Sequence, residues 1–292
     1  MVNSQNFQPV LEDVTIVIPT VGRPILEASL SRIANGSAWP GTLLVVEQNS
    51  TAFVPEWIRN LKLLGLDAKH LVSSQCGRAA GINRGLELVK TPYVAITDDD
   101  CFVAPDWLVK MVARLRQNPL CIVTGRVEAG GGRVPFVVTS DKSVQYSKPR
   151  LTFDALSGGN MGTSLAVIEH VGLFDEDQRL KTAEDGEWAY RALRTGIPII
   201  YAPEVCVTHY GWRDKDQRIE QYRNYAFSHG SFYGKYIRKL DWFIALRAIV
   251  HYLRTSRRYL KGLINGDREL TLSSRAYLAG LLPGIIAGIR QE

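Results

Sequence analysis

Between Val14 and Ala202 short apolar runs alternate with amphipathic segments. Val14–Pro19 (VTIVIP) predicts a buried strand that ends at a proline, Thr42–Val46 a second, and the residues around His70–Val72 a shorter third. Tyr93–Ile96, Cys121–Thr124 and Pro198–Ala202 add three more. Helical spacing falls between them, over Ile25–Ala34, Arg78–Val89, Pro105–Leu115, Leu165–Val171 and Ala183–Thr195. Short apolar strands alternating with helices predict an α/β fold, a mainly parallel sheet covered by helices on both faces. Gly125–Arg150 is glycine-rich and then polar, which reads as a long loop with room for an irregular hairpin.

The pattern changes after Gln217, where it becomes helical and basic. Trp242, Phe243, Leu246, Ile249, Val250 and Leu253 fall at helical spacing, with Arg247, Arg254, Arg257, Arg258 and Lys261 between and beyond them. The expected organisation is therefore a domain over residues 1–214 and a basic amphipathic helical region over 215–292. A straight helix is not expected over Ala276–Ile289, which holds Pro283 and three glycines.

Charge sharpens this division. The net charge of +6 sits in the tail: Lys235–Glu292 carries eleven Lys/Arg against four Asp/Glu, or +7, and the remainder is close to neutral. A basic tail points to an anionic surface, a membrane ahead of nucleic acid, with a dimerisation surface or a core-covering helix pair as the alternative. The N-terminus has no basic start followed by an apolar core, and no run of about 18 apolar residues occurs. The cysteines Cys76, Cys101, Cys121 and Cys206 form no CxxC pair. A reducing cytoplasmic location, on the inner face of a membrane, is the expectation.

The strongest chemical signal is Asp98-Asp99-Asp100, directly after an apolar strand. Three carboxylates at the end of a buried strand repel one another and are costly to desolvate, so something cationic should offset them. Hard divalent ions such as Mn²⁺ or Mg²⁺ take oxygen ligands and bridge to phosphates. In open α/β sheets ligands bind at the carboxyl ends of strands. A solvated acidic turn is the other reading of the triplet alone.

Four segments in order resemble family 2 glycosyltransferases, a large inverting group with the GT-A fold: VTIVIPTVGR (Val14–Arg23), VVEQNS (Val45–Ser50), GRAAGINRG (Gly77–Gly85) and Ile96–Asp100. The likeness covers about residues 12–212. It implies a nucleotide-sugar donor, UDP-linked by family frequency, held by Pro19, Thr20, Arg23, Glu47, Arg78, Asp98 and Asp99. Glu47 would face the base, where the family more often has Asp. It implies a metal, Mn²⁺ or Mg²⁺, on Asp100 and Asp98, with His209 able to complete the shell.

The same resemblance makes Asp185, in Glu184-Asp185-Gly186-Glu187, the general base, with Glu184 beside it. Acidic residues in a first helical turn also favour the helix dipole whatever their function. Gly159 and Asn160, in a GGNM loop, and Trp212 would face the acceptor, a glycan or lipid-linked glycan in cell-surface assembly. A plain turn and a core cap are their alternatives. Two rival functions are a nucleotidyltransferase acting on sugar phosphates, which lacks its lysine-bearing phosphate loop here, and a non-catalytic carbohydrate-binding protein.

Overall fold

The computed structural model describes residues 8–131, 137–211 and 215–290. Contacts divide the chain into two compact units. The first takes Met1–Lys148, Leu156–Phe174 and Arg191–Gly211; the second takes Pro149–Ala155, Asp175–Tyr190 and Trp212–Glu292.

The first unit is built on one mixed sheet. Strands β1 (Val10–Thr20), β2 (Trp39–Glu47), β3 (Ala68–Val72) and β4 (Tyr93–Thr97) run parallel in the order β3-β2-β1-β4. Residues Val14–Thr20 are buried without a break, as expected of a parallel strand covered on both faces. Helices α1 (Ile25–Ala34), α2 (Phe53–Leu63) and α3 (Arg78–Leu86) make the crossovers. Within α3, a Cβ on Gly85 would lie 2.5 Å from a Val17 methyl and one on Gly81 would lie 3.0 Å from Pro19 Cβ. Glycine at these two positions lets α3 lie directly on the ends of β1 and β2.

Beyond β4 the sheet is mixed. β8 (Asn160–Ser164) separates β4 from β6 (Ile122–Gly131), and β9 (Ile199–Tyr210) lies between β6 and the three-residue β5 (Cys101–Val103). β8 runs antiparallel to β4 and β6, and β9 runs parallel to β6 and antiparallel to β5. The expectation of a loop from Gly125 onward is corrected here: β6 runs on to Gly131 and β7 (Val144–Tyr146) pairs with β9. The extension is held by pairing with the equally extended end of β9, Arg126 opposite Cys206 and Glu128 opposite Thr208, and local apolar pattern does not signal it. Helices α4 (Trp107–Gln117) and α5 (Leu165–Val171) complete the cover.

The second unit contains the start of α6 (Glu184–Arg194) and three long helices, α7 (Lys215–Ile237), α8 (Trp242–Ile264) and α9 (Arg268–Ile289). Asp241 and Asp267 cap α8 and α9, each side chain accepting from backbone N–H groups of the first turn. α9 runs as one helix through Pro283. Its glycines 280, 284 and 288 recur every four residues and lie on one face, against α7 at Ala226, Gly230 and Gly234. A Cβ on Gly284 would meet the Phe227 carbonyl oxygen and lie 3.0 Å from Gly230 Cα, so the two backbones are in contact. Gly284→Val is expected to cost about 3 kcal/mol through overpacking, read as a lower melting temperature; an unchanged melting curve would show that the helices part without penalty.

A buried polar cluster ties Pro149–Ala155 into this unit. Arg247, 4% exposed, donates to Asp154 Oδ1 at 2.6 Å, and His229 Nε2 stands 3.4 Å from Asp154 Oδ2. Burial works to raise the Asp154 pKa, but Arg247 and His229 outweigh it and hold the carboxyl well below its usual range. His251, hydrogen-bonded to Tyr233 at 2.8 Å, is driven down to about 3 by burial and by the neighbouring His229, so it stays neutral.

Candidate active site

The parallel register brings three strand ends to one edge. Thr20 lies opposite Glu47, Glu47 opposite Val72, and β4 leaves the sheet beside β1 into Asp98-Asp99-Asp100. The strand order reverses between β1 and β4, which is where open α/β sheets bind ligands.

The cations that the acidic run requires are arginines from the two flanking crossovers. Arg78, the first residue of α3, donates Nε to Asp98 Oδ1 at 2.7 Å. Arg23, just before α1, grips Asp99 with Nε and a terminal nitrogen, and its other terminal nitrogen lies 3.2 Å from Asp100 Oδ2. Asp99 is 1% exposed and also accepts from Thr20 Oγ at 2.6 Å, while the Thr20 hydroxyl in turn accepts from Gly22 N–H. Burial raises the Asp99 pKa, against the pull of Arg23 and Thr20. Asp99 thus ties the Thr20–Arg23 loop to the acidic run. Asp98 and Asp100 lie on either side of it.

His209 reaches the same place from the far end of the sequence. Antiparallel pairing sets Cys101 opposite His209, and Tyr210 N–H donates to the Asp100 carbonyl at 3.0 Å. His209 Nε2 then stands 3.6 Å from Asp100 Oδ1. Asp100, Cys101 and His209 present donor atoms within 4.8 Å of one another. Burial and the carboxylates of Asp98 and Asp100 push the Cys101 thiol well above its usual range, and a soft sulfur is a poor match for a hard cation. The remaining oxygen and imidazole donors fit a hard or borderline divalent cation. Gly159 completes this corner: its carbonyl accepts from Thr97 Oγ, and a Cβ on it would lie 2.9 Å from Asp98 Oδ2.

Two expected ligand contacts have other work. Glu47 is fully buried; Oε1 accepts from both the N–H and the hydroxyl of Thr51 at 2.6 Å, and Oε2 lies 2.8 Å from His70 Nε2. Asn160, expected on the acceptor side, spends its amide inside the sheet. Its oxygen accepts from Trp107 Nε1 and its nitrogen donates to the carbonyls of Arg126 and Val205. Sequence reasoning missed Gln48, which clasps Gly77 through both amide atoms, donating to its carbonyl and accepting from its N–H, and so fixes the loop before Arg78.

The second acidic cluster opens α6 in the second unit. Glu184 is buried; Asp185 is half-buried and accepts from Gly186 N–H at 2.8 Å. Glu187 is fully enclosed and accepts from Lys235 Nζ at 2.8 Å and the Tyr236 hydroxyl at 2.7 Å. A Cβ on Gly186 would press on Asp154, 2.9 Å from its carboxyl carbon. Trp212 lies outside the described residues.

The comparisons with known proteins give the fold and the family. The profile of Glycosyl transferase family 2 matches residues 15–169, more than half of the chain, and the chain belongs to that family. Glycosyltransferase AglE of Haloferax volcanii is 27% identical over 180 residues, 61% of this chain and 55% of its own length, so the match spans about half of that relative. The mannosyltransferase PcManGT of Pyrobaculum calidifontis, solved with GDP-Man and Mn²⁺, superposes with a TM-score of 0.61 at 17% identity over 98% of this chain and 87% of its own. TarS of S. aureus gives 0.57 at 14% identity over 91% of this chain and 55% of its own. GalNAc-T7, solved with UDP, GalNAc and Mn²⁺, gives 0.54 at 15% identity over 69% and 43%.

Proposed function

We propose that this chain is an inverting, metal-dependent glycosyltransferase that moves a sugar from a nucleoside-diphosphate donor to a hydroxyl of a glycan, in cell-surface or exopolysaccharide assembly. The observation that carries the reading is the charge balance at the strand ends. Three carboxylates face two guanidinium groups, which leaves the cluster one negative charge. Asp100, Asp98 and His209 would hold a divalent cation, which would reverse that sign and supply positive charge for a departing diphosphate. Two of the similar folds were solved with Mn²⁺ and a nucleotide ligand, which supports the same choice for this chain.

The other roles follow from the residues present. Pro19 and Thr20 form the floor beside the nucleotide. Arg23 and Arg78 hold the acidic turn in place and are the cations nearest to where diphosphate oxygens would bind. Asp185 takes the proton of the acceptor hydroxyl as it attacks the anomeric carbon from the face opposite the leaving nucleotide, and this inverts the centre. The four free cysteines suit a reducing cytoplasmic location.

A thermal-shift panel of UDP-, GDP- and dTDP-sugars tests this. With Mn²⁺ present, the preferred donor at about a hundred times its Kd should raise the melting temperature by about 5–10 °C. EDTA or Asp100→Ala should abolish the shift. If no nucleotide sugar produces a metal-dependent shift, or if Asp100→Ala responds like the wild type, the proposal is wrong.

A further inference from the structure

Helix α8 is apolar on two opposite faces, and only one of them is covered. Ile244, Ala248, His251 and Thr255 point into the second unit, where Ile244 and Ala248 join the apolar cluster of Leu281 and Phe232. On the far side Trp242, Leu246, Ile249, Leu253, Leu260 and Ile264 follow one another at three-, four- and seven-residue steps and form a single stripe. All six are exposed, Trp242 to 72% and Ile264 to 83%. At 1.5 Å per residue the stripe is about 33 Å long. An apolar band of that length facing water marks an interaction surface.

The charges beside it indicate the partner. Arg254, Arg257, Arg258 and Lys261 lie along one flank of the stripe, and α8 contains no acidic residue. Arg247 is not among them, because it is turned inward onto Asp154. An apolar stripe with cations along its border and no carboxylate on the helix matches the boundary between the anionic headgroups and acyl chains of a bilayer. We infer that α8 is a membrane-docking helix that lies in the plane of an anionic lipid surface, its stripe sunk among the acyl chains and its basic flank on the headgroups. α9 is long and apolar enough to cross a membrane, but its glycine face is already packed on α7 within the same unit. The docking does not depend on the proposed sugar transfer, and neither result decides the other.

Co-sedimentation of the full chain with vesicles of phosphatidylcholine alone, or of phosphatidylcholine with phosphatidylglycerol, tests the inference. Wild-type protein should sediment with the anionic vesicles at low salt, bind less as salt rises, and come off in alkaline carbonate. Leu246→Gln, Ile249→Gln and Leu253→Gln together should weaken partitioning at least about a hundredfold. Each of Arg257→Gln and Arg258→Gln should weaken it about fivefold. The glutamine variants change exposed side chains, so an unchanged melting curve should accompany the loss. Four results would overturn the inference. These are no sedimentation with anionic vesicles at low salt, undiminished binding by the triple Leu/Ile variant, resistance to carbonate (a spanning helix), and a dimer in light scattering that the triple variant dissociates (a self-association face).

Discussion

Asp185→Asn is expected to lower sugar transfer by about a thousandfold, with donor affinity and melting temperature unchanged. The substitution keeps the shape of the side chain and an oxygen to accept from Gly186 N–H, and removes the charge and the capacity to take a proton. The neighbouring acids are poorer choices for that task. Glu187 is fully enclosed by Lys235 and Tyr236, and Glu184 is buried, whereas Asp185 is half-buried at the start of its helix. Steady-state turnover, with donor binding measured separately by calorimetry, distinguishes a lost base from a lost donor site. Transfer at the wild-type rate in the asparagine variant would remove Asp185 from the mechanism.

Arg247→Met should be the most destabilising single change in the helical unit, costing about 3–5 kcal/mol at neutral pH. It leaves the Asp154 carboxylate enclosed, four-fifths of its side chain buried, without its main counter-charge. The deficit should depend on pH. In the wild type the Asp154 pKa is depressed, so its contribution is full above about pH 4 and is lost only as pH falls through the lower folded value. In the variant burial dominates and raises that pKa, so protonation relieves the strain and the gap between the proteins narrows as pH falls towards about 4. Urea midpoints at several pH values measure this. A loss below about 1 kcal/mol, or one independent of pH, would mean that the pair is not the bracing it resembles.

Legibility from sequence followed the reach of each interaction. β1 and α1 are readable because apolar runs and helical spacing are local, and their stability comes from faces that the same residues display. The outer parts of β6 and β9 are not readable as continuations of their strands: Arg126–Gly131 is polar and glycine-containing, Val205–Tyr210 follows Pro203, and the two are extended through pairing with each other. The acidic turn is conspicuous as three carboxylates after a strand, yet the cation on Asp99 comes from 76 residues earlier. Nothing near Asn160, Glu47 or Gln48 reveals that their polar atoms are committed to backbone groups or distant side chains. Apolar spacing likewise flagged the outer side of α8 through Trp242, Leu246, Ile249 and Leu253, but not that it is uncovered.

The position of β9 has a consequence for how the protein is made. It is the last strand in sequence, yet it lies inside the sheet, between β6 and β5. Asp100 therefore leaves the ribosome before its partner His209, which follows after 109 more residues and roughly 5–20 s of synthesis. During that interval β5 has no neighbour and the edge of β6 that β9 will occupy is open, ready to pair with any strand that passes. Closure of this sheet is a late, long-range event, and nascent chains stalled before residue 199 should be its most aggregation-prone form.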